Sequence, residues 1–126
     1  MNPDIQISKD QGITRITYRG QARFDLTTEL IRETALIGFK NQSKLLLVDI
    51  SEFIDPDYEL NAVKHAEQAS SLGIDPDFRI AFLGTQEDQR LPYLEKVAVD
   101  RGLRVKSFTN DSEAVTWLLE NTKTES

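Results

Sequence analysis

The hydrophobic and polar positions of the chain follow two different periods. Alternation over residues 5–7 and 13–18 predicts two β-strands, and the polar residues 10–12 between them have turn composition. These segments predict an antiparallel hairpin near the start of the chain. Gly20 follows it, and we expect this glycine to end the second strand.

Beyond the hairpin the pattern alternates between strand and helix. Helical spacing of apolar residues predicts helices over residues 26–39, 57–72, 91–101 and 110–120, and apolar runs predict strands over residues 45–50, 78–83 and 103–108. Asp25 is the expected N-cap of the first helix, and Asn110 with Glu113 fits a capping box at the last. Gly73 and Gly102 are the expected stops of the two central helices.

The predicted order is therefore β-β-α-β-α-β-α-β-α. It indicates an α/β fold with a mixed, mostly parallel five-stranded sheet, an N-terminal antiparallel hairpin and four helices. The strand at residues 45–50 is apolar on both faces except at Asp49, which is typical of a central strand covered by helices. We expect residues 1–126 to form one domain, with a frayed polar tail at 121–126.

Composition narrows the classes of function. The 126 residues carry a net charge of −6, which disfavours nucleic-acid binding, and the densest basic stretch, residues 101–106, has only three cations. There is no cysteine, so disulfides and thiolate metal sites are excluded. No apolar run approaches the roughly 18 residues of a membrane span, and the start lacks signal-peptide features. These features favour a cytoplasmic protein without a membrane span.

The most informative stretch is residues 44–60, where the apolar strand leads through Asp49 to the acidic Asp55-Pro56-Asp57 cluster. In α/β domains, the carboxyl end of a strand and the following helix start are where sites form. Asp49 either faces a ligand or partner at this rim or satisfies turn amides. Asp55-Pro56-Asp57 is explained as a helix start, with Asp55 as cap and Pro56 as first helical residue, and Tyr58 is a reasonable contact residue beside it.

Three segments of the chain resemble the SpoIIAA-like, or STAS-type, family of small α/β domains. They are the strand and turn at residues 44–54, the strand at residues 79–83, and residues 108–118 with their Glu-Ala-x-x-Trp-Leu helix start. The resemblance covers most of the chain in element order and implies a SpoIIAA-like fold. It also implies a non-catalytic regulatory or protein-interaction module that binds a partner protein.

In the best-known branch of that family, a partner kinase phosphorylates a serine at the start of the helix after this strand. The matching segment here runs from Asp55 to Tyr58, and only Asp55 agrees with the Asp-Ser-Ser-Gly signature. Asp57 stands in place of the phosphoacceptor and carries less charge than a phosphoserine. The resemblance therefore predicts a module without the phosphorylation switch. Other members of the fold group imply an alternative, a carrier of a small apolar or lipid-like ligand.

No catalytic or cofactor set is recognisable in the sequence. His65 is the single histidine and has the pattern of a solvated helix residue, so a metal site is not expected. A Ser-His-Asp hydrolase would need His65 as base and Ser51 or Ser70 as nucleophile. Neither serine lies in a Gly-x-Ser-x-Gly elbow. The loop of residues 84–90 is too poor in glycine for a phosphate cradle; it is either a partner-contact loop or a solvated connector.

These observations lead to three hypotheses, of which a protein-interaction module is the first. A carrier of a small apolar ligand is the second, and an enzyme is the third. A homodimer formed through the edge of the N-terminal hairpin is a variant of the first. The predicted partner or ligand surface consists of Asp49, Ser51, Asp55, Asp57, Tyr58, Gly84 and Arg90.

Overall fold

The computed structural model describes residues 4–21, 24–69, 71, 73–74 and 77–124, without the side chains of residues 24–30 and 121–124. Within these ranges the chain forms five strands and four helices. In chain order they are β1 (Asp4–Asp10), β2 (Ile13–Gln21), α1 (Phe24–Lys40), β3 (Leu45–Ile54), α2 (Tyr58–Gln68), β4 (Arg79–Leu83), α3 (Arg90–Asp100), β5 (Arg104–Phe108) and α4 (Asp111–Thr124).

The strands form one sheet whose spatial order is the order of the sequence, β1-β2-β3-β4-β5. β1 and β2 pair antiparallel, and β2 to β5 are parallel neighbours. The hairpin turn consists of Gln11 and Gly12, with φ angles of 57° and 81°, which match the twist of paired strands. The predicted single-domain α/β fold, with its mixed, mostly parallel five-stranded sheet, is confirmed.

Both faces of the parallel strands are covered, which explains the uninterrupted apolar run of β3. Leu46, Val48 and Ile50 belong to the larger core, which also contains apolar residues of α1 and α3. Leu45 and Leu47 point to the opposite face, where they pack with the apolar side of α4. A strand buried on both faces needs apolar residues at successive positions rather than at alternate ones.

Several boundaries differ from the sequence prediction. Gly20 does not end β2, because it pairs with β3 in the sheet and the strand continues to Gln21. α2 ends at Gln68, four residues before the predicted end at residue 72, which lies outside the described residues. Gly73 has a φ of 102° but lies five residues after the last helical residue, so it does not end the helix directly. α4 continues to Thr124, four residues beyond the predicted end at residue 120, and residues 125–126 are outside the described ranges. Fraying of the tail at 121–126 stays a prediction.

The two predicted helix caps also have different outcomes. α1 begins at Phe24, so Asp25 is a residue of the first turn rather than the N-cap, and its side chain lies outside the description. At α4, the side-chain oxygen of Asn110 accepts a hydrogen bond from the Glu113 amide at 3.1 Å. This is the first half of the predicted capping box.

β1 forms one edge of the described sheet. Its residues are exposed except for Ile5, which is half-buried and packs against the core, and Ile7 on the same face is 51% exposed. An exposed edge strand offers backbone donors and acceptors to another chain. Pairing of this edge in a homodimer stays a prediction.

Candidate functional site: a helix rim above an apolar cavity

At the carboxyl end of the sheet, β3 extends beyond its neighbour β4. The pairing with β4 ends at Asp49 opposite Leu83, while β3 continues for five more residues and pairs there only with β2. On the open side, the carbonyl oxygens of Ile50 and Phe53 accept hydrogen bonds from the Arg90 guanidinium at 2.9 and 2.6 Å. Arg90 therefore supplies the donors that a longer β4 would have supplied.

The guanidinium of Arg90 is itself held by a carboxylate. Nε and Nη2 donate to the two carboxylate oxygens of Asp88 at 2.8 and 2.6 Å, and the Arg90 amide donates to the same group at 3.0 Å. The two side chains are only 15% and 9% exposed. The hydrogen bond from Arg90 outweighs burial and lowers the pKa of Asp88 below its ordinary value. The start of α3 is thus fastened to the end of β3.

A β-bulge redirects the end of β3. Ile50 and Ser51 lie together opposite the single residue Tyr18, so the next inward position is Phe53, whose ring centroid lies 5.6 Å from that of Tyr18. At the bulge, the Asp49 carboxylate accepts from the Ser51 amide at 2.9 Å and from its hydroxyl at 2.7 Å. Asp49 is therefore inside the strand and not near its end, which corrects the sequence prediction.

The turn into α2 is organised by Asp55. One of its carboxylate oxygens accepts from the Asp57 amide at 3.2 Å and from the side-chain amide of Asn61 at 3.1 Å. Pro56 lies in the turn, and α2 begins at Tyr58, so Asp55 and Pro56 are further from the helix than predicted. Asp57 precedes the first helical residue and is exposed, and its negative charge is favourable at a helix N-terminus.

Aromatic and aliphatic side chains surround this acidic turn. The rings of Tyr58 and Tyr93 meet edge to face with centroids 5.8 Å apart, and the Tyr93 hydroxyl donates to the Glu59 carbonyl at 3.3 Å. Ile54 and Leu60, on either side of the turn, are 58% and 62% exposed. We call the surface of Ile54, Asp57, Tyr58, Glu59, Leu60 and Tyr93 the α2 rim.

The predicted surface residues take different positions in the structure. Ser51 and Asp57 are exposed, and Asp49, Asp55 and Tyr58 are half-buried. Gly84 is buried, and a Cβ added there would lie 3.1 Å from an Asp88 carboxylate oxygen. Arg90 holds the end of β3 beneath the rim, while Thr85, Gln86, Glu87 and Gln89 of the 84–90 loop are exposed.

Beneath the rim, a cavity of about 160 Å³ lies between the sheet and helices α1, α2 and α3. The strands contribute large apolar walls: Val48, Ile50, Phe53, Ile80 and Phe82. On the helix side, Ala62, Ala66 and Ala69 are too small to fill the space above these residues. The cavity is partly open to solvent, and a bound apolar molecule would remove its apolar walls from contact with water.

α2 also lines the cavity with two buried polar side chains, Asn61 and His65. They lie four residues apart on one face of the helix and are 2% and 6% exposed. Burial lowers the pKa of His65, the Lys64 charge lowers it further, and Asp55 opposes both effects. The prediction of a solvated His65 is wrong, because the helix turns this face toward the sheet.

On the α1 side, a second polar pair lines the cavity. The Tyr18 hydroxyl and the Thr34 hydroxyl are buried and hydrogen-bonded to each other. Burial raises the pKa of Tyr18 to about 12, more than the bond to Thr34 lowers it. Tyr18 and His65 are therefore both neutral near pH 7, and the polar groups of the wall offer hydrogen bonding rather than charge.

The sequence pointed to neither Tyr93 nor Asn61. Tyr93 lies on α3, and the packing of α2 against α3 brings its ring to Tyr58. In the described ranges, no three His, Asp or Glu side chains gather as a metal site. Within the same ranges, no helix has both the length and the apolar character needed to cross a membrane.

Comparison with solved structures defines the class of fold to which this architecture belongs: the fold is SpoIIAA-like. One similar structure is an anti-sigma factor antagonist from Mycobacterium paratuberculosis, with a TM-score of 0.62 and 11% identity over 94% of this chain and 95% of that chain. Another is an uncharacterised protein of the DUF3478 family from Shewanella loihica PV-4, with a SpoIIAA-like fold. It has a TM-score of 0.56 and 18% identity over 92% of this chain and 93% of that chain.

No protein-family model and no curated protein matches the sequence. At 11% and 18% identity the solved structures establish the fold alone. The resemblance noted in residues 44–54, 79–83 and 108–118 is confirmed at this level.

Proposed function

We propose that this chain is a non-catalytic regulatory module that binds a partner protein through the α2 rim. The observation that carries the proposal is the exposure of Ile54 and Leu60 beside Tyr58 and Tyr93, at 58% and 62% for the two aliphatic residues. Exposed apolar side chains on both sides of one turn favour an interaction site, and tyrosine is enriched in such sites. The fold neighbour named as an anti-sigma factor antagonist adds support, since that name implies a protein partner.

The charges of the rim indicate the chemistry of the partner. Asp57 and Glu59 are exposed carboxylates, while the nearby cation Arg90 is occupied by Asp88 and by strand carbonyls. A complementary surface therefore combines apolar groups with Lys or Arg. Ser51 and Asp49 lie at the bulge within β3, and they extend the proposed surface.

Affinity capture with rim variants tests this surface. We expect Tyr58→Ala and Asp57→Lys each to reduce capture of a native partner by about tenfold. Tyr58→Ala removes a contact at the centre of the proposed interface, and Asp57→Lys reverses a charge there. Glu67→Lys is the matched control, since Glu67 is exposed on the same helix but away from the rim. The readout is quantitative mass spectrometry of the captured proteins, with circular dichroism to confirm folding. Equal capture by both rim variants and the wild type contradicts the proposed surface.

We also propose that the module works without a phosphorylation switch. The exposed residue before α2 is Asp57, followed by Tyr58, so the position lacks a serine acceptor. We expect the chain isolated from its native cells to have the unmodified intact mass. A phosphate mapped to Ser51 or Tyr58 would show that a switch exists at another residue.

A second candidate function is carriage of a small apolar ligand, which the 160 Å³ cavity favours. A carrier purified gently should retain its ligand, and native mass spectrometry should then show a bound mass. A clean mass of the free chain under those conditions argues against carriage.

A further inference from the structure

We propose that the cavity binds a neutral, compact molecule with an apolar body of about one benzene ring and at most one hydrogen-bonding group. The inference rests on the second candidate function and deepens it by naming the class of ligand. Three features carry it: the volume of the cavity, the side chains of its walls, and the state of the charged groups at its border.

The volume sets the size of the ligand. A cavity of about 150 Å³ lined by aliphatic and aromatic side chains is known to take up benzene, and the cavity here measures about 160 Å³. Pockets for larger, drug-sized molecules begin at about 300 Å³. The space therefore suits a single ring or a short branched chain, and a long acyl chain would leave most of its length outside it. This narrows the lipid-like ligand that the sequence had suggested.

The charged side chains at the border are already compensated inside the protein. Arg90 is held by Asp88 and two strand carbonyls. Asp55 accepts hydrogen bonds from the Asn61 side chain and the Asp57 amide. A charged ligand would lose its hydration without gaining a new counter-charge, and such burial is unfavourable. A neutral ligand avoids this cost.

The polar wall of α2 defines where a hydrogen-bonding group of the ligand lies. Asn61 and His65 are the buried polar side chains of that helix, and both line the cavity together with Ala62 and Ala66. His65 is neutral near pH 7, so its ring offers neutral hydrogen-bonding chemistry. A ring with one hydroxyl group therefore fits as well as, or better than, the bare ring.

Titration of the full chain with four matched probes tests the proposal. Benzene, phenol, benzoate and benzylamine share one ring and differ in charge and polarity. At about pH 7.5 we expect benzene and phenol to bind, phenol at least as tightly as benzene. Benzoate and benzylamine are charged at this pH, and we expect each to bind at least about tenfold more weakly than benzene. Amide chemical shifts give the affinities, and intermolecular nuclear Overhauser effects from the ring to the methyl groups of Ala62 and Ala66 locate the site.

Variants of α2 provide the control. Ala66→Leu fills the cavity and should abolish binding, while Gln68→Leu adds the same side chain on the exposed side of the helix and should leave binding unchanged. If Ala66→Leu does not fold, Ala66→Val gives the same comparison with a smaller group. Absence of benzene and phenol binding, or ions binding as tightly as benzene, overturns the proposal. If the probes bind but the chain purified from its native cells has only the mass of the free chain, the cavity is kept as a binding site and the carrier function is rejected.

Discussion

At the scale of single residues, Arg90 determines the shape of the rim. It replaces the neighbouring strand over the last part of β3, because β4 ends opposite Asp49 while β3 continues. Its guanidinium is planar and carries several donors, so it can bond two carbonyls and a carboxylate at once. Lysine has one compact ammonium group and cannot reproduce this pattern.

Replacement of Arg90 by methionine should therefore destabilise the fold. The change leaves two strand carbonyls and the Asp88 carboxylate without their donor, and we expect a loss of about 3 kcal/mol in the free energy of unfolding. Urea denaturation measures it. Arg19→Met is the control, because Arg19 forms an exposed ion pair with Glu52 at 2.7 Å, and its variant should unfold close to the wild-type midpoint. Equal midpoints for Arg90→Met and wild type would contradict a supporting role.

His65 makes stability depend on pH in a defined direction. Its pKa is lowered in the folded chain below the ordinary value of 6.5, so the unfolded chain binds the proton more readily. The free energy of unfolding should fall as pH drops below 6.5, and the contribution of His65 should be constant above that value.

Urea unfolding of the wild type and His65→Gln between about pH 7.5 and pH 5 tests this dependence. The carboxylates titrate in both proteins, so the difference between the two curves isolates His65. We expect the wild type to lose stability more steeply than the variant as pH falls. Parallel curves would show that protonation of His65 is not coupled to unfolding.

At the scale of elements, α2 is responsible for both parts of the site. Asp57 immediately before the helix and Tyr58 at its start belong to the rim, and the inner face of α2 carries Ala62, Ala66 and His65 over the sheet. A helix packed on a sheet ordinarily fills the interface with larger aliphatic side chains. The alanines of α2 leave the cavity open.

α4 has a simpler role, because it covers the opposite face of the sheet and begins with the Asn110 cap. Asn110→Ala removes the acceptor of the Glu113 amide, so we expect the free energy of unfolding to fall by about 1 kcal/mol. Thermal or urea unfolding gives the value. Ser112→Ala, in the exposed first turn of the same helix, should have little effect. An equal loss in both variants would show that the cap is not the cause.

At the scale of the whole molecule, the rim and the cavity share residues. Asp55, Tyr58 and Arg90 line the cavity and also form or support the rim. A molecule in the cavity is therefore in contact with the side chains that position the proposed partner surface. Occupancy of the cavity and binding at the rim can influence each other through this shared boundary.

Benzene saturation should reveal this connection. We expect the amide resonances of residues 55–59 to shift clearly more than those of β1, which forms the distant edge of the sheet. Two-dimensional amide spectra with and without benzene give the comparison, and Ala66→Leu should suppress the shifts. Shifts confined to the strand walls, with residues 55–59 unchanged, would separate the cavity from the rim.

The order of elements followed from the sequence because it depends on local physics. The period-two and helical spacing of apolar residues identified the strands and helices of the described residues. The apolar run at residues 45–50 identified a strand that is covered on both faces. The start of α2 followed approximately, since the helix begins one residue after the predicted residue 57, and a functional role of residues 44–60 stays a prediction. Element ends were less accurate, as at Gly20 and Gly73, since pairing and packing override local preferences.

The site itself was decided by tertiary structure. Asp49 was expected near the end of a strand, but pairing with β2 through a bulge carries β3 further, and Arg90 satisfies its open side. The pairing of Tyr58 with Tyr93 and the burial of His65 depend on how α2 lies against α3 and the sheet. The sequence by itself determined which segments are strands and helices, because that information is local. The cavity exists only through the distance between packed layers, which no single segment encodes.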